Sequence, residues 1–373
     1  MATQTVNYQC PSCTGPLHYN SATGKLSCDY CGSEFAVDEI EALYAKKAAE
    51  AEQNAAKEAQ QPPQEEAWDT ASAGTQWDES EAAKLRTYVC TSCGAELICD
   101  ETTAATACVY CGNPTVIPGK FSGALRPDYV LPFRLEKKDA IAALEKYYRK
   151  KRFLPKSFRT HNQIEKLQGV YVPFWLFDGE SEGSVQLDAT RTHSYSTNDE
   201  EVTITEHYQL DRAGRCRFER IPVDGSTKMP DAHMDAIEPF DFSGLEPFTL
   251  AYLPGYLADK YDVDANASAP RAEHRAENTT VRMLTATAKG YSTVSVASQD
   301  IRLHRGAVKY ALLPVWMLHT KWQDKDFLFA MNGQTGKLIG DLPVSRGKFW
   351  AWLGGMTGIL TLLLAALDYL FLL

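Results

Sequence analysis

Four cysteines stand as C-x2-C, fourteen residues, C-x2-C between Cys10 and Cys31. The same grid returns eighty residues later, between Cys90 and Cys111. A stretch of about 30 residues cannot bury a core that holds it folded, so it needs a staple. In a reducing compartment, paired thiols serve that purpose as metal ligands rather than as disulfides. Each C-x2-C turn brings two thiolates to one point, and two such knuckles close a tetrahedron around Zn2+ at about 2.3 Å from each sulfur. Cys10, Cys13, Cys28 and Cys31 are the expected ligands of one zinc, and Cys90, Cys93, Cys108 and Cys111 those of a second. Four thiolates leave no position for water, so both ions are expected to be structural. The flanks repeat with the ligands: Tyr8 matches Tyr88, Leu17 matches Leu97, and Tyr30-Cys31-Gly32 matches Tyr110-Cys111-Gly112. The two cysteines left over, Cys99 and Cys216, read as small apolar strand residues.

The charge around these grids bears on what they bind. Residues 1–120 hold seven Lys/Arg against seventeen Asp/Glu, which equals the whole chain's formal charge of −10. Between Tyr88 and Pro118 there is no Lys or Arg, and between Tyr8 and Val37 there is only Lys25. Phosphate binding requires cations that release counterions, so nucleic acid is a poor partner for these ribbons and a protein partner is expected.

The other end of the chain constrains its location. Phe349–Leu367 is nineteen residues without a charge, followed by Asp368. As a helix it is about 28 Å long, close to a hydrocarbon core of ~30 Å. Arg346 and Lys348 precede it, no basic residue follows, and MATQTVNYQC lacks a secretory signal's apolar core. A single-pass, tail-anchored protein of the cell membrane is expected, with its N-terminal domains cytoplasmic. Gly354 and Gly358 form a small-xxx-small pair, compatible with a homo-oligomer of anchors.

Five segments follow: a zinc ribbon at 1–37, a helix and acidic linker at 38–86, a second ribbon at 87–118, an α+β domain with a mainly antiparallel sheet at 119–346, and the transmembrane anchor at 347–373. DEIEALYAKKAAEAEQNAAKEAQ reads as a helix whose apolar stripe stops after Tyr44. In the linker, Trp68 and Trp77 are expected to pack on a neighbouring ribbon, with a docking motif as the alternative. LEKKDAIAALEKYYRKKRF is an amphipathic helix with Ile141, Leu144, Tyr147 and Tyr148 at helical spacing. Its basic end suits either the helix dipole or lipid headgroups. VYVPFWLFDG and KYALLPVWMLHT are strands that share Pro-x-Trp. EEVTITEHYQL and RCRFERIPV suggest a hairpin about Asp211–Gly214, and FLFAMNGQTGKLIGDLP suggests another. His193, His207 and His233 lack ligand or triad spacing.

Taken together, the tandem grids, LRTYVCTSCGAELICD, YCGNPTVIP, GVYVPFWLFDG, LLPVW, FAMNGQTGKLIG and the terminal anchor resemble a bacterial family of membrane-anchored tandem TFIIB-type zinc-ribbon proteins. Its members are often labelled primosomal or replication-restart helicase-like. The resemblance implies partners among PspA-type and SPFH-type proteins of the envelope-stress response. A helicase needs GxxxxGK[ST]. GQTGKL and ATGKLS lack that spacing, and in both Leu follows Lys. The expectation is a non-enzymatic membrane adaptor that binds protein. The alternative is a membrane-tethered nucleic-acid-binding accessory of replication or transcription.

Overall fold

The computed structural model describes residues 8–371 apart from 13–16, 21–22, 60–66, 101–102, 104–106, 115, 120–122, 162–163, 197–200 and 324. The chain splits into two units between Glu65 and Glu66. In the first, β1 (Leu17–Asn20), β2 (Lys25–Cys28) and β3 (Glu34–Phe35) form an antiparallel sheet in that order. Helix α1 (Val37–Ala59) follows, as the Ala/Glu/Lys pattern predicts. Its first turns are tied down where its apolar residues lie: Ile40 is buried, and Tyr44 meets Tyr8 edge-on at 5.2 Å.

The second unit begins with α2 (Glu79–Ala82), then β4 (Leu85–Cys90), β5 (Glu96–Asp100), β6 (Val116–Gly119) and β7 (Tyr129–Val130). Helices α3 (Lys137–Arg149) and α4 (Lys156–His161) lead into β8 (Gln168–Ser196) and β9 (Glu201–Asp224). After α5 (Asp231–Ile237), β10 (Glu246–Pro247) and β11 (Leu257–Asp259) comes α6 (Ala265–Ala286). The chain closes with β12 (Thr293–Trp322), β13 (Lys325–Asn332), β14 (Leu338–Gly340) and α7 (Arg346–Phe371). The strands β4–β14 form one mainly antiparallel sheet, with the path β10-β7-β12-β8-β11-β5-β4-β6; β9 is added to β8, and β13 and β14 to β12. The architecture is α+β.

β8 is apolar without interruption from Val170 to Phe177 because both of its faces are covered. Val170, Val172, Phe174 and Leu176 enter one core with β5 residues Leu97 and Cys99, while Tyr171, Trp175 and Phe177 enter the core on the opposite face. The two Pro-x-Trp strands lie side by side and antiparallel, Leu312 opposite Pro173. Both repeated indoles are satisfied by backbone carbonyls: Trp175 donates to Val263 O at 2.9 Å and Trp316 to Leu135 O at 3.2 Å. α3 buries Leu144 and Tyr148 against Trp316 and Phe329. β13 and β14 form the expected hairpin.

One expectation fails and another is met only in part. Asp211–Gly214 is no turn: β9 runs straight through it, with Gln186 opposite Asp211 and Gly183 opposite Gly214. A continuous ladder with β8 outweighs the local turn preference of Asp and Gly. Trp68 and Trp77 pack against a core that Ile98 of β5, within the second grid, shares with Tyr171, Trp175 and Phe177 of β8. Trp68 meets Phe177 edge-on at 4.9 Å and donates to Glu273 Oε1 at 3.0 Å, and Trp77 meets Phe248 at 5.8 Å. The acidic linker is therefore strapped to the α+β core by its aromatics, which are half-buried there and unavailable as a docking motif.

Candidate metal centres

The C-x2-C turns that begin at Cys28, Cys90 and Cys108 fold by one local rule. The amide of the first cysteine donates to the carbonyl five residues on, and the amide four residues on donates back to that cysteine's carbonyl. This holds for Cys90 with Ala95 and Gly94 (2.9 and 3.0 Å), for Cys108 with Asn113 and Gly112 (2.9 and 2.9 Å), and for Cys28 with Ser33 and Gly32 (3.0 and 2.9 Å). The residue four on is glycine each time, at φ +69°, +67° and +72°, which a side chain would strain.

The turns converge their sulfurs. In the second grid Cys90 and Cys111 lie 3.6 Å apart, as do Cys93 and Cys108, and all four sulfurs fall within 4.8 Å of one another. A tetrahedron with metal–sulfur distances of about 2.3 Å has edges of about 3.8 Å, so the set fits a metal ion. It does not fit disulfides, whose sulfurs sit at about 2.05 Å. In the first grid Cys10, Cys28 and Cys31 meet the same test, with Cys10 and Cys31 3.6 Å apart. Cys13, the expected fourth ligand, lies outside the described residues. Burial opposes ionisation of Cys90, yet the amides of Cys93 and Ser92 and the thiol of Cys111 hold it down at about 7. Burial pushes Cys93 and Cys108 up. A bound cation supplies the charge that stabilises all four thiolates together.

The two grids sit in different surroundings. β5 pairs with β11, so the second grid is continuous with the large sheet, and Cys90, Cys99, Cys108 and Tyr110 belong to its core. Tyr110 is 7% exposed, with its hydroxyl beside the Asp259 carboxylate, which also accepts from Ser226 Oγ at 2.6 Å. Burial pushes Asp259 up to about 7. His319 of β12 closes the second knuckle: a Cβ on Gly112 would fall 2.4 Å from its Nδ1, and its Nε2 faces Asp326 Oδ1 at 3.1 Å. Sequence reasoning missed Asp259 and His319, which lie about 150 and 210 residues downstream of the grid and carry no local signal. In the first grid Tyr30, the counterpart of Tyr110, is 78% exposed, and Tyr19, the counterpart of buried Cys99, is 63% exposed.

Other expected features are placed as follows. GQTGK occupies the β13–β14 turn, where Asn332 Oδ1 accepts from the amides of Gln334 and Thr335 at 2.8 and 3.0 Å. It does not open a helix, so no phosphate cradle forms there. Cys99 is buried in β5 and donates to Thr103 O at 3.0 Å. Among the described residues, the two cysteine sets are the groups of His, Cys, Asp or Glu arranged to hold a metal. α7 is long and apolar enough to cross a membrane, and every side chain from Phe349 to Leu367 is exposed.

Among known proteins, the "Uncharacterized protein YdjG" of Bacillus subtilis (strain 168) is 35% identical over 353 residues, covering 95% of this chain and 94% of that protein. No family model matches the chain, and no solved structure matches it.

Proposed function

This chain belongs to the same family as Bacillus subtilis YdjG, and we propose that it is a membrane-anchored, non-enzymatic zinc-ribbon adaptor that binds a protein partner at the cytoplasmic face of the membrane. Each grid holds one structural Zn2+. α7 crosses the bilayer once, with Arg346 and Lys348 on the cytoplasmic side. The observation that carries this reading is the opposite environment of one repeated residue. In the second ribbon Tyr110 is covered by the α+β domain, beside Asp259 and Ser226, whereas the first leaves Tyr30 and Tyr19 to solvent. Aromatic side chains on a rigid scaffold are the usual anchors of protein interfaces. The scarcity of Lys and Arg around both grids argues against phosphate contacts. The partners implied by the family resemblance, PspA-type and SPFH-type proteins, remain the first candidates.

The test is a photo-cross-linking residue at position 30 of the full chain in native membranes. A discrete protein adduct is expected there, and none from the same residue placed at the buried position 110. A micromolar or tighter complex between the full chain and DNA or RNA in about 150 mM salt would instead support the nucleic-acid accessory.

A further inference from the structure

From Lys146 to Arg159 the chain carries seven Lys/Arg and no acid. The dipole of α3 accounts for Lys146 and Arg149, which lie in its last turn. It does not account for Lys150, Lys151 and Arg152, which follow the helix and are exposed. Among the described residues, no carboxylate lies within ion-pair distance of these three; Lys151 rests over the Tyr147 ring at 4.5 Å.

The structure shows where this charge is held. Phe153, the next residue, packs edge-on against both Phe349 and Trp352 of α7, each at 5.7 Å. Its carbonyl accepts from the Ser345 amide at 2.8 Å, and the Leu154 carbonyl accepts from Lys348 Nζ at 2.6 Å. Two ring contacts and two hydrogen bonds thus fix residues 153–154 to the first turns of the apolar helix. Consecutive Cα atoms are about 3.8 Å apart, so Lys150–Arg152 lie within roughly 11 Å of that contact. This is close to the screening length of ~8 Å at physiological ionic strength. Arg346 and Lys348 add to the same end of α7.

We propose that Lys150, Lys151 and Arg152, with Arg346 and Lys348, form a binding surface for anionic lipid headgroups, docked by Phe153 at the level where α7 enters the bilayer. The proposal rests on the reading of α7 as a membrane span. A lipid headgroup rather than a free phosphate is the occupant because the surface is attached to the helix whose exposed apolar length places it at the headgroup layer. Each cation near an anionic surface strengthens the attraction on the order of fivefold, so the three exposed residues should dominate lipid preference without deciding insertion.

The experiment reconstitutes the full chain in vesicles of phosphatidylcholine with a minor fraction of phosphatidylglycerol. It reads the composition of the lipid retained on the detergent-extracted protein, and resistance to alkaline carbonate. Wild type should retain phosphatidylglycerol several-fold above its bulk fraction, and raising the salt to about 0.5 M should erase the enrichment. The K150Q/K151Q/R152Q chain should insert equally and retain lipid at the bulk ratio. Phe153→Ala keeps every charge but loosens the docking, and should reduce the enrichment while insertion holds. Carbonate-resistant wild type with lipid at the bulk ratio would overturn this proposal and leave the membrane reading intact. Extraction by carbonate from all vesicles would overturn the membrane reading, and this proposal with it. Loss of enrichment on adding millimolar inorganic phosphate at constant ionic strength would mark a free-anion site and overturn the lipid assignment.

Discussion

Asp259 ends β11 with its carboxylate enclosed between Ser226 and Tyr110, and burial lifts its pKa from an ordinary 3.8 to about 7. Between those two values the folded state holds a proton that the unfolded chain has released. The stability this group contributes is therefore fully present below about pH 4 and is lost as pH rises through about 7. Asp259→Asn keeps the shape and cannot ionise. Its denaturation midpoint should gain on wild type as pH rises from about 5 to 8, by on the order of 2–4 kcal/mol in unfolding free energy. A difference independent of pH would mean that the carboxylate is ionised throughout. Because both chains are compared at each pH, any metal loss they share cancels. The same residue scale explains why the cysteines were legible and their supports were not. The knuckle is closed by bonds between residues four and five apart, but Asp259 and His319 arrive from distant strands.

Among the elements, the three longest strands show how local preference yields to pairing. β8, β9 and β12 are all irregular at one level: the register shifts between Phe177 and Gly179 and between Arg305 and Val308, and Arg220 sits at φ +60°. Bulges of this kind bend strands and raise their twist. Here they separate a half of the strands buried on both faces from a half that α6 covers on one face, burying Ser181, Val185, Leu187 and Ala189, and that leaves Tyr195, Ile204 and Val296 exposed. Gly183 lies in this second half, where a Cβ would fall 2.4 Å from the Asp300 carbonyl oxygen. Since that obstacle is backbone, Gly183→Ala should cost on the order of 1–3 kcal/mol. Hydrogen exchange should rise in β8 and β12 around the site, while the proximal half keeps its protection; unchanged exchange would contradict the packing. α6 was missed in the sequence for a physical reason. Its buried stripe is Ala265, Ala269, Ala272, Ala276 and Thr280, small residues that let it approach the sheet but give no hydrophobic signal. The Asp264 cap, which accepts from the Ala267 amide at 2.8 Å, was the available clue.

For the whole molecule, the two grids make unequal contributions to the fold. The second is part of the sheet core, whereas the first lies in a separate small unit with Cys31 exposed. Cys28→Ser should leave cooperative unfolding of residues 66–373 unchanged, while Cys108→Ser should lower its melting temperature by several degrees or prevent folding. Equal effects of the two substitutions would contradict the asymmetry. Two metals per chain are expected, and a thiol-reactive chelator should withdraw one equivalent well before the other. Removing residues 347–373 takes away a helix whose apolar side chains are all exposed from Phe349 to Leu367, and the shortened chain should partition to the soluble fraction.

By itself the sequence determined those features whose physics is local or periodic. These are the sulfur knuckles with their glycines, the stripe of α3, the two-faced apolar strands, the β13–β14 hairpin and the unbroken apolar length of α7. Tertiary structure decided how the second grid is buried: its strand β5, apolar at Leu97-Ile98-Cys99 where the first grid has Leu17-His18-Tyr19, pairs with β11, a partner about 160 residues downstream that the grid itself does not name. It also straightened the turn-like Asp211–Gly214 into β9, drew Trp68 and Trp77 onto the core that β8 shares with β5, and set Phe153 and Leu154, just past the basic stretch that follows α3, against the start of α7. Each of those outcomes depends on contacts between segments tens to hundreds of residues apart, where burial and ladder pairing exceed the preferences that a short window of sequence can express.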